Sequence, residues 1–139
     1  MRPEELAALH AGAVAPDRGW TAAEFAGLLA APGALLVAEP AAFVLGRVTL
    51  DEAEILMVAT DPDLRRQGLA RRTLARFEAA AAARGALRAL LDVAEDNAPA
   101  RALYAGAGYV EDGRRRGYYA RPDGPAVDAV LMSKALPSG

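Results

Sequence analysis

The chain has 139 residues, of which 53% are hydrophobic and 24% charged, so it is expected to form a single globular domain over residues 1–139 rather than a disordered chain. Its formal net charge of −2 argues against a protein that binds nucleic acid through a basic surplus. The absence of cysteine and the single histidine, His10, exclude disulfides and thiol catalysis and argue against a metal site.

The first half of the chain predicts two helices followed by three strands. Leu6 and Leu9 form the apolar stripe of a helix over 3–13. Thr21, with Glu24 three residues later, forms a capping-box pattern that begins a second helix. Strands in an antiparallel meander are predicted over 34–38, 41–50 and 53–59, with a bulge at Gly46.

The second half alternates helices and strands. A helix over 68–84 ends at Gly85, and the strand that follows, 87–93, is reached across this helix and should lie parallel to the third strand. Asn97 begins a helix that runs to residue 105. A hairpin of strands 109–115 and 126–134 completes the chain, with Tyr118 and Tyr119 in its loop.

This order predicts an α/β fold: one mixed central sheet with a single parallel pair at its centre. Ligands of such sheets bind beyond the carboxyl ends of the strands, where the helices diverge. Asp92 lies near one such end, and residues 58–60 form the other.

The stretch that joins the third strand to the following helix resembles a phosphate-binding turn. Pro62 stops the strand, and Arg65 and Arg66 precede the small residue Gly68 at the helix start. Free N–H groups and a positive dipole end suit an anion there. Two arginines oppose the dipole at about 0.3–1 kcal/mol each, a conflict that a bound anion would remove. An ordinary strand-to-helix turn with solvated arginines explains the pattern equally well.

Two motifs resemble those of the GNAT superfamily of N-acetyltransferases. Arg65-x-x-Gly68-x-Ala70 is similar to its motif A, and Asn97-x-x-Ala-x-x-Leu-Tyr104 followed by Gly108-Tyr109 is similar to its motif B. The resemblance covers about residues 34 to 136. It implies a sheet splayed between two parallel strands and acetyl-CoA as cosubstrate, with no metal. The family usually begins with a strand, for which the first two residues leave no room, so that strand is expected to be missing.

Within the superfamily, the chain looks most like the bacterial ribosomal-protein-alanine N-acetyltransferases. The supporting stretches are 51–55, 115–119 and 128–132, together with Trp20. The resemblance implies transfer of acetyl to the N-terminal α-amine of a protein, a small-subunit ribosomal protein that begins with alanine. An acetyltransferase of small-molecule amines and a non-catalytic acyl-CoA-binding module remain alternatives.

The sequence also sets expectations for location and partners. No apolar run approaches the roughly 18 residues of a membrane span and no signal peptide opens the chain, so a cytoplasmic protein without membrane or specific nucleic-acid partners is expected. A monomer or weak dimer is expected.

The resemblance assigns a cofactor role to two stretches and one side chain. Main-chain N–H groups would bind the pantetheine arm and the oxyanion in one stretch and the pyrophosphate in the other, at Val58, Ala59, Thr60, Arg66, Gln67, Gly68, Leu69, Ala70 and Arg71. Asn97 touches the pantetheine arm or only caps its helix.

Acyl transfer to an amine needs a base and a group that protonates the leaving thiolate. Asp92 is the first candidate base; the family usually has glutamate there, so the shorter side chain predicts a water relay. Glu54 is the alternative base or a ligand of the amine, although either residue could be an ordinary strand carboxylate. Tyr104 holds the motif position of the acid, and could instead be a half-buried helix aromatic.

The acceptor peptide is expected to contact aromatic side chains. Trp20, Tyr118 and Tyr119 are the candidates, with Glu54 at the amine. Two adjacent tyrosines in a loop are explained by contact more readily than by core packing. The neighbouring arginines, 114–116, are read as a solvated strand face rather than as a phosphate contact.

Overall fold

The computed structural model describes residues 1–14, 20–61 and 68–137. The elements of this part of the chain are α1 (Pro3–Val14), α2 (Ala22–Ala30), β1 (Ala34–Glu39), β2 (Ala42–Thr49), β3 (Glu52–Thr60), α3 (Leu69–Ala83), β4 (Arg88–Ala94), α4 (Ala98–Gly106), β5 (Val110–Tyr119) and β6 (Val127–Ala135).

The six strands form one sheet in the order β1-β2-β3-β4-β6-β5. The first three pair in antiparallel fashion, β3 and β4 are parallel, and β4, β6 and β5 are again antiparallel. The predicted α/β fold with one parallel pair at its centre is therefore confirmed. No strand precedes α1 within residues 1–14, which are described.

Each face of the sheet is covered by its own helices and core. On one face, Leu6 of α1 and Phe25 of α2 pack against Phe43 of β2. On the other, Phe77 of α3 and Tyr104 of α4 belong to a larger core. A half-buried strand can supply both cores because successive side chains point to opposite faces. We call these the α1/α2 face and the α3/α4 face.

A β-bulge in β3 reverses this alternation. Leu45 pairs with Met57 and Gly46 with Ile55, so Leu56 is an extra residue opposite the shift. Ile55 packs in the α3/α4 core, whereas Leu56 and Met57 both belong to the α1/α2 core. The predicted bulge at Gly46 is confirmed in position, although the inserted residue lies on the neighbouring strand.

The predicted helix signals match the structure. Thr21 Oγ1 accepts from Glu24 N–H, and the Glu24 carboxylate accepts from Thr21 N–H, which completes the capping box. Asn97 Oδ1 accepts from Ala100 N–H at the start of α4. Gly85, in the left-handed region with φ +96°, ends α3 as expected.

The prediction that placed Tyr118 and Tyr119 in a loop is wrong, because β5 extends to Tyr119. Gly117 adopts φ +59° and its N–H donates to Asp128 Oδ1 at 3.0 Å, within a register shift between Arg115 and Tyr119. This irregularity lets an edge strand continue through a polar stretch that has no alternation of apolar residues.

Gly46 provides a test of the bulge. A Cβ at this position would lie 2.5 Å from the Glu54 carbonyl oxygen and 2.5 Å from Phe77 Cζ. Because backbone and a buried ring cannot both yield, Gly46→Ala should lower the free energy of unfolding by about 1–3 kcal/mol in urea denaturation.

Gly27→Ala is the matched control. Gly27 lies within α2 and has nothing within 4 Å of a Cβ, so the same change should raise stability by about 0.5–1 kcal/mol. Equal responses of the two variants would contradict the close packing of Gly46.

Candidate active site

The two parallel strands at the centre of the sheet pair only at their beginnings. The pairs are Glu52 with Arg88, Ala53 with Ala89 and Glu54 with Leu90. Beyond them β3 stays paired with β2 as far as Thr60, and β4 stays paired with β6 as far as Ala94. The edges that face each other, 55–60 and 91–94, therefore have no strand partner, and we call the space between them the cleft.

Main-chain groups of β3 face the cleft. The Asp61 N–H donates to the Ala41 carbonyl oxygen at 2.8 Å, which puts it on the β2 side. Along a strand of an antiparallel pair, successive residues point their N–H groups alternately toward the partner strand and away from it. The Ala59 N–H therefore points to β2, and those of Val58 and Thr60 point into the cleft.

Thr60 also has a buried hydroxyl. The residue is 7% exposed, and its Oγ1 makes no hydrogen bond to any residue in the described part of the chain. Its side chain alternates with that of Ala59, which packs on the α1/α2 face, so it lies on the α3/α4 face beside the end of the cleft. Buried hydroxyls are nearly always satisfied, so this atom is a candidate ligand contact.

The first amides of α3 receive no side-chain cap from their N-cap residue. Gly68, with φ +72°, is the N-cap and provides no side chain to the first turn. The first helical bond runs from Arg72 N–H to the Gly68 carbonyl oxygen, so the N–H groups of Leu69, Ala70 and Arg71 precede the ladder. The predicted pyrophosphate ligands Arg66 and Gln67 lie outside the described residues.

The end of α4 holds Tyr104 in place. Gly108 has φ +101°, its N–H donates to the Ala105 carbonyl oxygen, and Tyr109 N–H donates to that of Tyr104 at 3.0 Å. This is a Schellman motif, and it brings the Tyr104 and Tyr109 rings to 5.8 Å. Tyr104 is therefore oriented by the same glycine that ends its helix.

Tyr109 is fixed in turn by a partly buried polar cluster. Its hydroxyl donates to Glu78 Oε2 at 2.8 Å, and Lys134 Nζ donates to Glu78 Oε1 at 2.8 Å. Burial, followed by the adjacent Glu78 charge, raises the pKa of Tyr109 above its ordinary value. Sequence reasoning missed this support, although Tyr109 belongs to motif B.

The Tyr104 phenol is suited to remain protonated. Burial raises its pKa to about 12, with a smaller contribution from Tyr119. Its hydroxyl makes no hydrogen bond to any residue in the described part of the chain, so its proton is available to a ligand.

Asp92 lies across the sheet from Tyr104. Leu91 and Val93 pack in the α3/α4 core, so the Asp92 side chain between them is on the α1/α2 face, where it is exposed. Its carboxylate has no ion pair or hydrogen bond within the described ranges, which disfavours the purely structural alternative. Burial, and next the Asp92 charge, raise the pKa of Tyr119, which therefore interacts electrostatically with both candidate catalytic groups.

Glu54 and Trp20 share the α1/α2 face with Asp92. Glu54 lies between Ala53 and Ile55 of the opposite core and forms a long, exposed ion pair with Arg47 at 3.5 Å. The main-chain N–H of Trp20 donates to His10 Nδ1 at 2.9 Å, and the Trp20 ring packs on Phe25. These residues line the side of the sheet from which Asp92 is accessible.

The two tyrosines at the end of β5 form a stack with two arginines. Their rings meet edge to face at 5.1 Å. Arg115 lies 5.4 Å above Tyr118, and Arg121 lies 5.8 Å above Tyr119. Asp96 holds Arg121 through contacts of 2.6 and 2.8 Å, and this hydrogen-bonded guanidinium lowers the pKa of Asp96.

The described ranges contain no group of three or more histidine, cysteine or acidic residues arranged for a metal, and no helix long and apolar enough to cross a membrane. An open depression of about 580 Å³ lies at the opposite end of β3 and β4, where the strands are paired, and is lined by Asp51, Glu52, Leu87, Arg88, Asp112, Ser133, Lys134 and Ala135. None of the predicted site residues lies there.

The splayed strands, the start of α3 with no side-chain cap from Gly68, and Tyr104 near the end of α4 make up the candidate site. Residues 4–109 match the model of the acetyltransferase (GNAT) family, and the chain belongs to this family. The resemblance seen in the two motifs is therefore confirmed.

The chain is similar to one kind of enzyme both in sequence and in structure, and more distantly to a second structure. Ribosomal protein bS18-alanine N-acetyltransferase of Escherichia coli (strain K12) is 43% identical over 97 residues, which are 70% of this chain and 64% of that enzyme. The aligned part thus spans less than two thirds of the curated relative.

Solved structures give a second comparison. The crystal structure of the ribosomal-protein-S18-alanine N-acetyltransferase from Escherichia coli has a TM-score of 0.81 and 34% identity, over 97% of this chain and 89% of that one. Nourseothricin acetyltransferase has a TM-score of 0.64 and 25% identity over 70% of this chain and 58% of that one.

The hydroxyl of Thr60 gives a stability test of the site. Thr60→Val removes a buried group that has no partner, so the free energy of unfolding without ligand should stay the same or rise by up to about 1 kcal/mol. Thr73→Val is the matched control: Thr73 is fully buried, but its Oγ1 donates to the Leu69 carbonyl oxygen at 2.8 Å. Its loss should cost about 0.5–1.5 kcal/mol in the same denaturation experiment. A larger loss for Thr60→Val than for Thr73→Val would show that the Thr60 hydroxyl is already satisfied.

Proposed function

We propose that this protein transfers acetyl from acetyl-CoA to the N-terminal α-amine of a protein in the cytoplasm, and that the acceptor is a small-subunit ribosomal protein that begins with alanine. The observation that carries the proposal is the cleft, where β3 and β4 part after three residue pairs. The acceptor is inferred from the relatives that are named for the alanine of bS18.

The residues along one path fit the successive parts of acetyl-CoA. The amides of Leu69, Ala70 and Arg71, which precede the helical ladder, suit the pyrophosphate, since a helix start favours an anion. The pantetheine arm carries amides that can pair with the Val58 and Thr60 main chain as a strand would, and the Thr60 hydroxyl offers one more donor. The Asn97 side chain already accepts from Ala100, so its cap role accounts for its position.

The thioester would then lie between the two candidate catalytic groups. The free amine attacks the carbonyl carbon, the C–S bond breaks, and acetyl leaves the thiolate for the nitrogen. Asp92, directly or through a water molecule, takes the proton that the amine loses on the α1/α2 face. Tyr104 gives its proton to the thiolate or hydrogen-bonds it on the other face. Main-chain N–H groups of β3 stabilise the oxyanion.

The acceptor peptide enters from the α1/α2 face. An α-amine has an ordinary pKa of about 7.7–8.0, so a weak base suffices near neutral pH. Trp20, Tyr118 and Tyr119 are proposed to contact the peptide, with Glu54 near the amine. The arginines above the tyrosine rings would hold these rings in place before the peptide arrives. The protein is proposed to act as a monomer or weak dimer.

The activity has a direct assay. Acetyl-CoA and a peptide with an N-terminal alanine should release free thiol, which is measured continuously. Asp92→Asn and Tyr104→Phe should each lower kcat about 100-fold, since general acid–base groups contribute about 10²–10⁴-fold. Asp112→Asn is the matched control, because Asp112 is an exposed carboxylate that pairs with Arg88 at the opposite end of the sheet.

Other outcomes identify the alternatives. Turnover of a polyamine or aminoglycoside, with none on any peptide, would favour a small-molecule acetyltransferase. Tight acetyl-CoA binding in calorimetry without transfer to any amine would favour a non-catalytic module.

The pH dependence of the reaction tests the role of Tyr104. A tyrosine is a proton donor below its pKa, and burial raises the pKa of Tyr104 to about 12. We therefore expect kcat to rise as the amine loses its proton and then to stay level from about pH 8 to about pH 10, where a phenol with the ordinary pKa would be half ionised. A fall with a midpoint near pH 9–10 that is absent in Tyr104→Phe would contradict the raised pKa.

A further inference from the structure

At the C-terminus of α4, each of the last carbonyl groups of the helix accepts a hydrogen bond. Within the Schellman motif, N–H groups of residues 107–109 donate to the carbonyl oxygens of Leu103, Tyr104 and Ala105. The last carbonyl, that of Gly106, accepts instead from Arg71 Nη2. The helix that carries Tyr104 is therefore closed by a side chain from another element, 35 residues away in sequence.

Arg71 belongs to the first turn of α3, whose first amides precede the helical ladder. Its main-chain N–H is one of the three groups proposed to face the pyrophosphate, and its guanidinium reaches α4. The cation at the negative end of the α4 dipole is electrostatically favourable. Its neighbours Arg72 and Arg76 turn the other way and bind Glu39 of β1 at 3.0 and 2.9 Å. Arg71 is therefore the arginine of this cluster that joins the start of α3 to α4.

We propose that Arg71 is a positioning residue that couples occupancy of the cofactor site to the placement of Tyr104. This inference rests on the proposed function. An anion held by the first turn of α3 fixes the backbone at Arg71, and the guanidinium passes that restraint to Gly106, two residues after Tyr104. The acid is then held in place when the cosubstrate is bound. Arg71 itself does not touch the reacting atoms through its side chain.

Arg71 has two alternative roles. The first is to stabilise the fold and nothing more, and the second is to act as a positive charge near the phosphates. Arg72→Ala separates the second role, because it removes an equal charge from the same helical turn while Arg76 still holds Glu39. Thermal denaturation of Arg71→Ala and Arg72→Ala tests the first role, because it measures the stability of the fold apart from kcat.

The kinetic test is a double-mutant cycle. Arg71→Ala should lower kcat about five- to twentyfold with little change in the KM of the peptide, and Arg72→Ala should leave kcat within about twofold. In a Tyr104→Phe background the Arg71→Ala effect should shrink to less than about twofold, because a residue that acts through Tyr104 has nothing left to position. Arg71→Lys, which keeps the charge and one donor, should recover part of kcat and of any lost stability.

A second readout does not require turnover. Hydrogen exchange at Ala107, Gly108 and Tyr109 should slow when CoA is added to the wild-type protein and to Arg72→Ala, but not when it is added to Arg71→Ala at saturating CoA. The inference is wrong if the three proteins respond alike, or if the kcat effects of Arg71→Ala and Tyr104→Phe multiply. A wild-type protein that binds CoA, shows this exchange response and acetylates no amine would leave the coupling intact and overturn only the proposed function.

Discussion

The incomplete pairing of β3 and β4 is the constraint on which the site depends. Main-chain groups inside a sheet are almost always hydrogen-bonded, so an edge that stays open at the centre must be held open from both sides. Here β2 holds β3 to Thr60, and β6 holds β4 to Ala94. The bulge at Leu56 adds local twist to β3 just beyond the last pair with β4. The cleft therefore results from the continuous pairing of β3 with β2 and of β4 with β6, and not from weak pairing between β3 and β4.

Much of this fold could be predicted because its signals are local. A capping box needs only Thr21 and Glu24, and a C-terminal glycine needs only the left-handed conformation of Gly85. The bulge was expected at Gly46, where a glycine interrupts a strand pattern. The parallel pair followed from the helical crossover, and the family from two short motifs. The caps, the bulge and each motif depend on residues a few positions apart, and the parallel pair depends only on the order of strand, helix and strand.

The parts that escaped prediction depend on contacts between distant residues. Tyr109 reaches Glu78 over 31 positions, and Lys134 reaches the same carboxylate over 56. That the Thr60 hydroxyl has no partner among the described residues is visible only from the three-dimensional packing around it. Tyr119 was assigned to a loop because an exposed edge strand has no apolar alternation to reveal it. Its proximity to both Asp92 and Tyr104 was hidden for the same reason.

The bulge also bears on the proposed binding of two substrates from the two sides of one sheet. Before it, Ala53 and Ile55 face α3 and α4; after it, Val58 and Thr60 take that face, while Met57 and Ala59 face α1 and α2. An anionic, extended cosubstrate binds best where a helix start adjoins the open strand edge. In this sheet that place is on the α3/α4 face. The face left for an amine is the one that carries Asp92, Glu54 and Trp20. In the proposed reaction, a proton acceptor on one face and a proton donor on the other flank a thioester in the cleft. The sheet between them keeps the Asp92 carboxylate from hydrogen-bonding the Tyr104 hydroxyl, so each group stays available to its own substrate.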